Sequence, residues 1–346
     1  MAPLNRRQVG KSAAVVTELG LGCVSMGELY RRLDEATCQE VLQAAWDAGV
    51  RFFDTSPFYG RGLSELRLGH FLRQQRRDEY LLSTKVGRVL TPSPDPEHFD
   101  GAPWVGGLPF DLRFDYSYDG IRRSFEDSLQ RLGLTSVDIL VVHDLDFWHH
   151  RTEPGVNAYL GQLFTSGWRA LDELRSSGAI KAIGAGINET GMIPRFLDLV
   201  DLDFFLVALN YTLLDQQVLD EEFPRCEELG VGAVVGAVFA SGILATGPIE
   251  GAVYRYAPAT PEILEKTRRI EEVCGRHGVP LRAAAVQFSL AHPIVAAIIP
   301  GALEAAQARS NAALLEHPIP TAMWDELKAE ELVRRDAPVP GGESAG

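Results

Sequence analysis

Apolar runs alternate along the chain with stretches in which apolar residues recur every three or four positions, and a glycine repeatedly separates the two. One such stretch begins after Asp34 and ends at Gly49, directly before the apolar run 50–54. The same order recurs around Gly133 and Gly178. Because glycine adopts the left-handed conformation that ends a helix at little cost, the pattern predicts a repeating unit of helix, turn and strand.

The apolar runs are uniform instead of alternating, which indicates strands buried on both faces, as in parallel sheets. Eight such strands are predicted, near Glu18–Gly22, Arg51–Thr55, Tyr80–Lys85, Val137–His143, Ala182–Ile187, Phe204–Asn210, Ala233–Val238 and Val295–Ile299. Eight strands with intervening helices favour an α/β fold of the closed (β/α)₈ TIM barrel type over an open doubly wound sheet. No GxGxxG motif follows a strand to support a Rossmann domain.

Several segments lie outside this repeat. Residues 6–17 predict a short β-hairpin that caps the bottom of the barrel. Residues 88–116 are rich in proline and glycine and too long for an ordinary connection, so we expect a functional loop over the top face, with 149–161 as a second loop there. Residues 1–336 are thus predicted to form a single domain, and the Pro/Gly/Ser-rich segment 337–346 a disordered tail.

Charge and composition narrow the class of protein. The formal net charge is -14, which argues against a nucleic-acid partner, since backbone phosphates require clustered lysine and arginine. The cysteines form no CxxC pair and are expected to be core thiols in a reducing compartment. No apolar run follows the N-terminal arginines and none reaches about 18 residues, so neither a secretory signal nor a membrane partner is expected. These features predict a cytoplasmic protein, and we expect a monomer or homodimer.

Ionisable residues stand at the carboxyl ends of three predicted strands, where barrels of this kind carry their chemistry. They are Asp54, Lys85 and His143, and Tyr59 follows shortly after the first of them. A neighbouring ammonium favours the phenolate form of a tyrosine, a carboxylate keeps that lysine charged, and a histidine can hydrogen-bond the reacting oxygen. Together the four side chains predict a proton-transfer site beside a carbonyl or alcohol.

Four segments, three of which carry these residues, resemble the aldo-keto reductase family. They are 53–60, which reads Phe-Asp-Thr-Ser-Pro-Phe-Tyr-Gly, then 84–86, 140–143 and 184–188. The similarity extends from about residue 19 to residue 311, and the four motifs occur in order, each at a strand end. The resemblance implies an oxidoreductase with a nicotinamide cofactor and assigns Asp54, Tyr59, Lys85 and His143 as its catalytic residues.

The family resemblance also implies which residues hold the cofactor, with Asn188 contacting the nicotinamide carboxamide. The implied set is Gly22, Asn188, Phe239, Gly242, Leu244, Pro300, Gly301, Gln307 and Asn311. Two positions depart from the family pattern: Ala208 replaces a glutamine, and Gly236 replaces the tyrosine that stacks on nicotinamide. Phe239 is near enough in sequence to substitute for that tyrosine.

NAD is expected as the cofactor, with NADP possible. Family members that prefer NADP carry a lysine, a hydroxyl residue and an arginine where this chain has Gly301, Ala302 and Gln307. A 2′-phosphate needs such donors to offset its desolvation. Asn311 can serve adenine in either cofactor, and Arg309 is predicted to face away from Gln307 on a helix.

Segments 115–124, 143–144 and 211–216 are similar to the sugar-oxidising branch of the family. This similarity implies oxidation of the anomeric carbon of an aldose, such as L-fucose or another D-threo-type sugar, to a lactone. The substrate contacts expected are Tyr59, His143, Asp144 and Trp148. Asp144 could instead orient His143 or be a surface carboxylate, and the loop aromatics Trp104, Phe110 and Trp148 could pack within their own loops.

Three alternatives remain open at the level of the sequence. The substrate could be pyridoxal, or the enzyme a general aldehyde reductase. The chain could also be a binding protein that senses nicotinamide, although its complete set of four catalytic residues argues against this. A barrel glycosidase needs paired carboxylates, and Asp54 is the one acid placed at a barrel end. His149 and His150 are adjacent in a loop and lack the spacing of metal ligands, so no metal is expected.

Overall fold

The chain was examined as a computed structural model that describes residues 3–341. Its strands are β1 (Arg6–Gln8), β2 (Val15–Thr17), β3 (Leu21–Gly22), β4 (Phe52–Asp54), β5 (Leu81–Val86), β6 (Arg88–Pro92), β7 (Phe110–Phe114), β8 (Ile139–His143), β9 (Ala182–Ile187), β10 (Phe204–Ala208), β11 (Gly232–Gly236), β12 (Val253–Tyr254), β13 (Ala257–Pro258) and β14 (Val295–Ile299).

The helices connect these strands. They are α1 (Glu35–Asp47), α2 (Leu63–Leu72), α3 (Tyr118–Leu132), α4 (Phe147–His150), α5 (Glu153–Gln162), α6 (Trp168–Ser176), α7 (Met192–Leu197), α8 (Glu222–Glu228), α9 (Ile243–Thr246), α10 (Pro261–Arg276), α11 (Leu281–Leu290), α12 (Ala305–Leu315) and α13 (Thr321–Ala329). The side chain of Asp34 caps α1 by accepting from the backbone N–H of Thr37 at 2.8 Å. Among residues 3–341, no helix combines the length and the apolar character needed to cross a bilayer.

Eight strands form one parallel sheet, in the order β3, β4, β5, β8, β9, β10, β11 and β14. The sheet closes where Leu19 pairs with Ile298 and the N–H of Gly20 donates to the carbonyl of Ile298 at 2.8 Å. The (β/α)₈ barrel predicted from the sequence is therefore confirmed. Each of its eight strands overlaps its predicted segment, and the ends differ by a few residues.

Apolar side chains fill both the barrel interior and the layer between the sheet and the helices. Strands β1 and β2 pair in antiparallel fashion, so the predicted N-terminal hairpin is present. Val9, Ala14 and Val16 from this hairpin belong to the same buried cluster as the interior side chains of the barrel strands. The hairpin thus closes one end of the barrel, and the opposite end remains for ligands.

Three expectations about irregular segments need correction. Residues 149–161 are predicted as a loop, but they lie mainly in α4 and α5. Residues 88–116 are predicted as a loop, but β6 and β7 pair in register from Arg88 with Phe114 to Pro92 with Phe110, which makes the segment a β-hairpin. The disordered tail is predicted to begin at 337, but Ala337 is buried and Val339 packs against the core. Residues 342–346 of that segment lie outside the described residues.

Candidate active site

The four predicted catalytic residues line one cavity of about 360 Å³ at the carboxyl ends of the barrel strands. Asp54 is the last residue of β4, Lys85 lies near the end of β5, and His143 ends β8. Tyr59 stands in the turn after β4. The parallel barrel brings these residues together because the carboxyl ends of all its strands meet at the same face.

Lys85 forms a buried ion pair with Asp54 inside the barrel. Its Nζ donates to Asp54 Oδ2 at 2.6 Å and to the carbonyl of Thr55 at 2.8 Å. The same nitrogen lies 4.7 Å from the ring centre of Tyr59. Burial raises the pKa of Asp54, and the Lys85 ammonium opposes that shift. The lysine is thereby fixed against the face of the tyrosine.

The pKa of Tyr59 differs in direction from the expectation. Burial raises it well above its ordinary value of 10.0, Asp54 and Asp144 raise it further, and Arg88 opposes them. A lowered pKa is expected if Lys85 alone acts on Tyr59, but the charge of Lys85 is paired with Asp54. Tyr59 is therefore a protonated phenol in this site near neutral pH, and a proton acceptor only at high pH.

His143 is held from both sides of its ring. Nδ1 lies 3.1 Å from the hydroxyl of Ser56, and Nε2 lies 3.2 Å from Asp144 Oδ2. Its backbone carbonyl accepts from the hydroxyl of Tyr116 at 2.7 Å. Burial lowers the pKa of His143 well below 6.5, an effect that outweighs the opposing charge of Asp144. His143 is therefore a neutral hydrogen-bonding group at neutral pH.

Arg88 is a residue of this site that sequence reasoning missed. It is buried, it forms an ion pair with Asp144, and its guanidinium lies 4.0 Å from the ring centre of Phe58. Burial raises the pKa of Asp144, but His143, Arg88 and His149 outweigh that effect and leave the net pKa lowered. The sequence signal for Arg88 was its position three residues after Lys85, at the start of a segment predicted to cover the top face.

Asp144 is a centre of polar contacts and not a surface carboxylate. Besides Arg88, the amide Nδ2 of Asn188 donates to Asp144 Oδ1 at 2.8 Å and to Asp146 Oδ2 at 3.0 Å. Asp144, Asp146 and His149 bring ligand-type atoms within 4.8 Å of one another. The carboxylate charges of this group are balanced by the hydrogen bonds and the ion pair from Asn188 and Arg88.

Aromatic side chains form the outer wall of the cavity. Trp148, predicted as a substrate contact, lines it, and so does Trp104 from the hairpin of β6 and β7. Phe110 is not among the residues that line it; it pairs with Pro92 at the far end of that hairpin. Tyr256 is a further aromatic residue that lines the cavity, and it lies in a segment for which no function was predicted from the sequence.

The residues expected to hold a cofactor fall into two groups. Gly22, Asn188 and Gly301 line the cavity, with Pro300 directly before the last of these. The others lie beyond it, after β11 and on α12: Phe239, Gly242, Leu244, Gln307 and Asn311. Phe239 packs against the core and is not a cavity residue, so it does not fill the place left at Gly236.

Three of the outer residues are engaged within the protein. Leu244 is fully buried and its N–H donates to the carbonyl of Phe239 at 3.1 Å. Gln307 accepts at Oε1 from the N–H of Leu303 at 2.8 Å. Asn311 accepts at Oδ1 from Arg282 at 3.0 Å, and Arg282 also lies 5.5 Å from the ring of Phe239.

The family to which the chain's sequence is similar agrees with its fold and with the residues of its cavity. The profile of the Aldo/keto reductase family matches residues 18–331, and this chain belongs to that family. The chain is therefore an oxidoreductase of the kind that uses a nicotinamide cofactor. Its similarity to a solved aldo-keto reductase from Bacillus halodurans in its holo form has a TM-score of 0.74 at 24% identity, covering 96% of this chain and 97% of the other.

Two curated relatives are similar over nearly their whole length. A pyridoxal 4-dehydrogenase from Microbacterium luteolum is 40% identical over 95% of this chain and 98% of its own. A D-threo-aldose 1-dehydrogenase from a Pseudomonas species is 39% identical over 92% of this chain and 95% of its own. The two identities are nearly equal, so they do not choose between the two substrates.

Proposed function

We propose that this protein oxidises the cyclic hemiacetal of an aldose at its anomeric carbon to a lactone, with NAD as the cofactor. The proposal rests on the placement of Lys85, which is fixed between Asp54 and the ring of Tyr59. These residues line the same cavity as the neutral His143. This arrangement supplies a proton acceptor and an uncharged hydrogen-bonding group to one substrate oxygen.

The chain's own residues carry the proton. Tyr59, as the phenolate, takes the proton of the anomeric hydroxyl, and Lys85 stabilises the negative charge of that phenolate. His143 holds the same oxygen by a hydrogen bond without adding charge. A nicotinamide bound beside Gly22 and Gly301 would supply the hydride acceptor; with the proton taken by Tyr59, the hemiacetal would lose two electrons and two hydrogens and become a lactone.

The residues present fit a nicotinamide cofactor. Gly22 and Gly301 lie on the cavity wall formed by β3 and the end of β14, and a Cβ at Gly22 would lie 2.7 Å from the carbonyl of Ile299. At these two glycines the wall exposes backbone, which allows close approach of a flat ring or a phosphate. The loops after the seventh and eighth barrel strands are also where phosphate sites of this fold commonly form.

The preference for NAD rests on three positions near α12 that lack a positive charge; Arg31 and Arg32 lie nearby, at a surface pocket that Gln307 also lines. Gly301, Ala302 and Gln307 offer no cation, as the sequence indicates. The structure adds Arg282, which forms no ion pair with any residue in the range 3–341 and donates to Ser310 and Asn311. Arg282, Arg31 and Arg32 are the cations by which NADP would be accommodated.

Pyridoxal is a second candidate substrate, favoured by the relative of 40% identity and by the aromatic wall that includes Phe58, Trp104 and Trp148. Its aldehyde and neighbouring hydroxymethyl group can close to a cyclic hemiacetal, so its oxidation would use the same four residues. General aldehyde reduction would use those residues in reverse.

The test is the reduction of NAD measured at 340 nm with L-fucose, D-arabinose, D-galactose and pyridoxal. Formation of a lactone from a sugar at a kcat/KM above that for pyridoxal supports the proposal. Higher efficiency with pyridoxal establishes the second candidate. Binding of NAD without turnover of any of the four compounds would refute both candidate activities.

A further inference from the structure

The strands β12 and β13 form a small hairpin that lies over the mouth of the cavity. They pair from Val253 with Pro258 to Tyr254 with Ala257, so Arg255 and Tyr256 are the two residues of the turn. Both have positive φ, 49° and 61°. Such values are rare for side chains of this size and occur mostly where surrounding contacts hold the backbone.

Arg255 supplies those contacts. Its guanidinium forms a hydrogen bond to Oδ1 of Asn210, an ion pair with Asp215 at 3.2 Å, and a long hydrogen bond to the carbonyl of Asn188 at 3.4 Å. Asn188 directly follows β9, and Asn210 lies two residues after the end of β10. The turn is therefore attached to the ends of two barrel strands.

Tyr256, the next residue, projects to the cavity. Its ring lines the cavity and meets the ring of Trp148 edge to face, with centroids 5.9 Å apart. Its N–H donates to the hydroxyl of Ser241 at 3.3 Å. The side chain remains 43% exposed, an unusual exposure for an aromatic residue in a strained and anchored turn. A ligand in the cavity would cover this face.

The groups next to Tyr256 indicate what kind of ligand would cover it. Trp148 gives a second aromatic surface, while Asp144 and His149 line the same cavity and offer polar atoms. A cyclic sugar has matching chemistry, since its ring C–H groups form an apolar face and its hydroxyls a polar edge. An aromatic face gains from such an apolar contact, and a short open-chain aldehyde has no ring to place on it.

We propose that Tyr256 is a specificity-determining residue that packs against the ring of a cyclic substrate, and that Arg255 is the positioning residue that holds it there. This inference rests on the proposed function. It assigns Tyr256 to the substrate and not to the cofactor. The hairpin thereby extends the aromatic wall of Phe58, Trp104 and Trp148 in a cavity whose β10 and β11 ends carry the small residues Ala208 and Gly236.

The test compares Tyr256→Ala with Tyr256→Phe, which keeps the ring, and with Ile249→Ala, an exposed position in the same connection between α9 and β12. The substrate is the sugar of the panel that is oxidised best, and glycolaldehyde reduction with NADH is the ringless comparison. Two binding constants are measured in addition: that of NAD by quenching of tryptophan fluorescence, and that of D-galactono-1,4-lactone by calorimetry on the NAD-saturated protein.

For Tyr256→Ala we expect KM for the sugar and Kd for the lactone to rise at least about fivefold, with kcat and the Kd of NAD within about twofold of wild type. Tyr256→Phe, Ile249→Ala and glycolaldehyde reduction should stay within about twofold. If the KM of Tyr256→Ala for the sugar is unchanged, the inference is wrong. It is also wrong if the Kd of NAD rises more than about threefold, because the ring would then contact the cofactor. If the wild type neither oxidises a panel sugar nor binds the lactone, the proposed function itself fails, and this inference with it.

Discussion

Replacing Tyr59 by phenylalanine removes the proton acceptor and leaves the ring against Lys85. We expect turnover to fall by about 10²-fold or more, which corresponds to roughly 2.7 kcal/mol in the barrier. The stability should hardly change, because the Tyr59 hydroxyl forms no hydrogen bond within residues 3–341 and the residue is only partly buried. We therefore expect the free energy of unfolding to stay within about 0.5 kcal/mol of wild type.

The measurements are initial rates of NAD reduction with the best sugar, urea unfolding followed by fluorescence, and the Kd of NAD. Tyr80→Phe is a matched control, since it also removes a tyrosine hydroxyl without a hydrogen-bond partner, but at a position that does not line the cavity. It should keep full activity. A Tyr59→Phe variant that retains more than about a third of wild-type turnover would show that another group accepts the proton.

Three further predictions concern charge in the site. The oxidation rate should rise from pH 6 through about 9 without a plateau. The base is the deprotonated form of Tyr59, whose pKa lies above 10.0, and His143 stays neutral over this range. A plateau below about pH 8 would identify a different base. Asp54→Asn should lower the free energy of unfolding, measured in urea, by about 3 to 5 kcal/mol, because the substitution leaves the Lys85 ammonium buried without its carboxylate. A loss below about 1 kcal/mol would contradict a charged Lys85. The kcat/KM for NAD should exceed that for NADP by at least about tenfold, or about 1.4 kcal/mol; equal efficiencies would mean that Arg282, Arg31 or Arg32 binds the 2′-phosphate.

The barrel could be predicted from the sequence because its strands carry a signal of their own. Each is a uniform apolar run next to a glycine-terminated helix, and burial on both faces of a parallel strand requires that pattern. Asp54, Lys85 and His143 interrupt those runs at their carboxyl ends, which is why a local reading of the sequence locates them. Tyr59 follows from its motif.

The outer parts of the site could not be predicted in the same way. Arg88 lies in a segment rich in proline and glycine, and its burial depends on the distant partner Asp144. Tyr256 reaches the cavity because Arg255 binds Asn210 and Asn188, which lie near strand ends 45 and 67 residues earlier in the chain. The pKa of Tyr59 likewise depends on burial, which a list of neighbouring charges does not contain.

The closure of the barrel between the first and last strands has a consequence for protein synthesis. Arg7 donates hydrogen bonds to the carbonyls of Leu290 and Val295, the latter 288 residues away. At roughly 5 to 20 residues per second, translation leaves the N-terminal hairpin without these partners for about 15 to 60 s. Throughout that interval Val9, Ala14 and Val16, which fill the end of the finished barrel, are without the last strand that helps to enclose them. A segment near the start of this sequence is thus among the last to be buried, and it is the segment where a chaperone would have most to protect during translation.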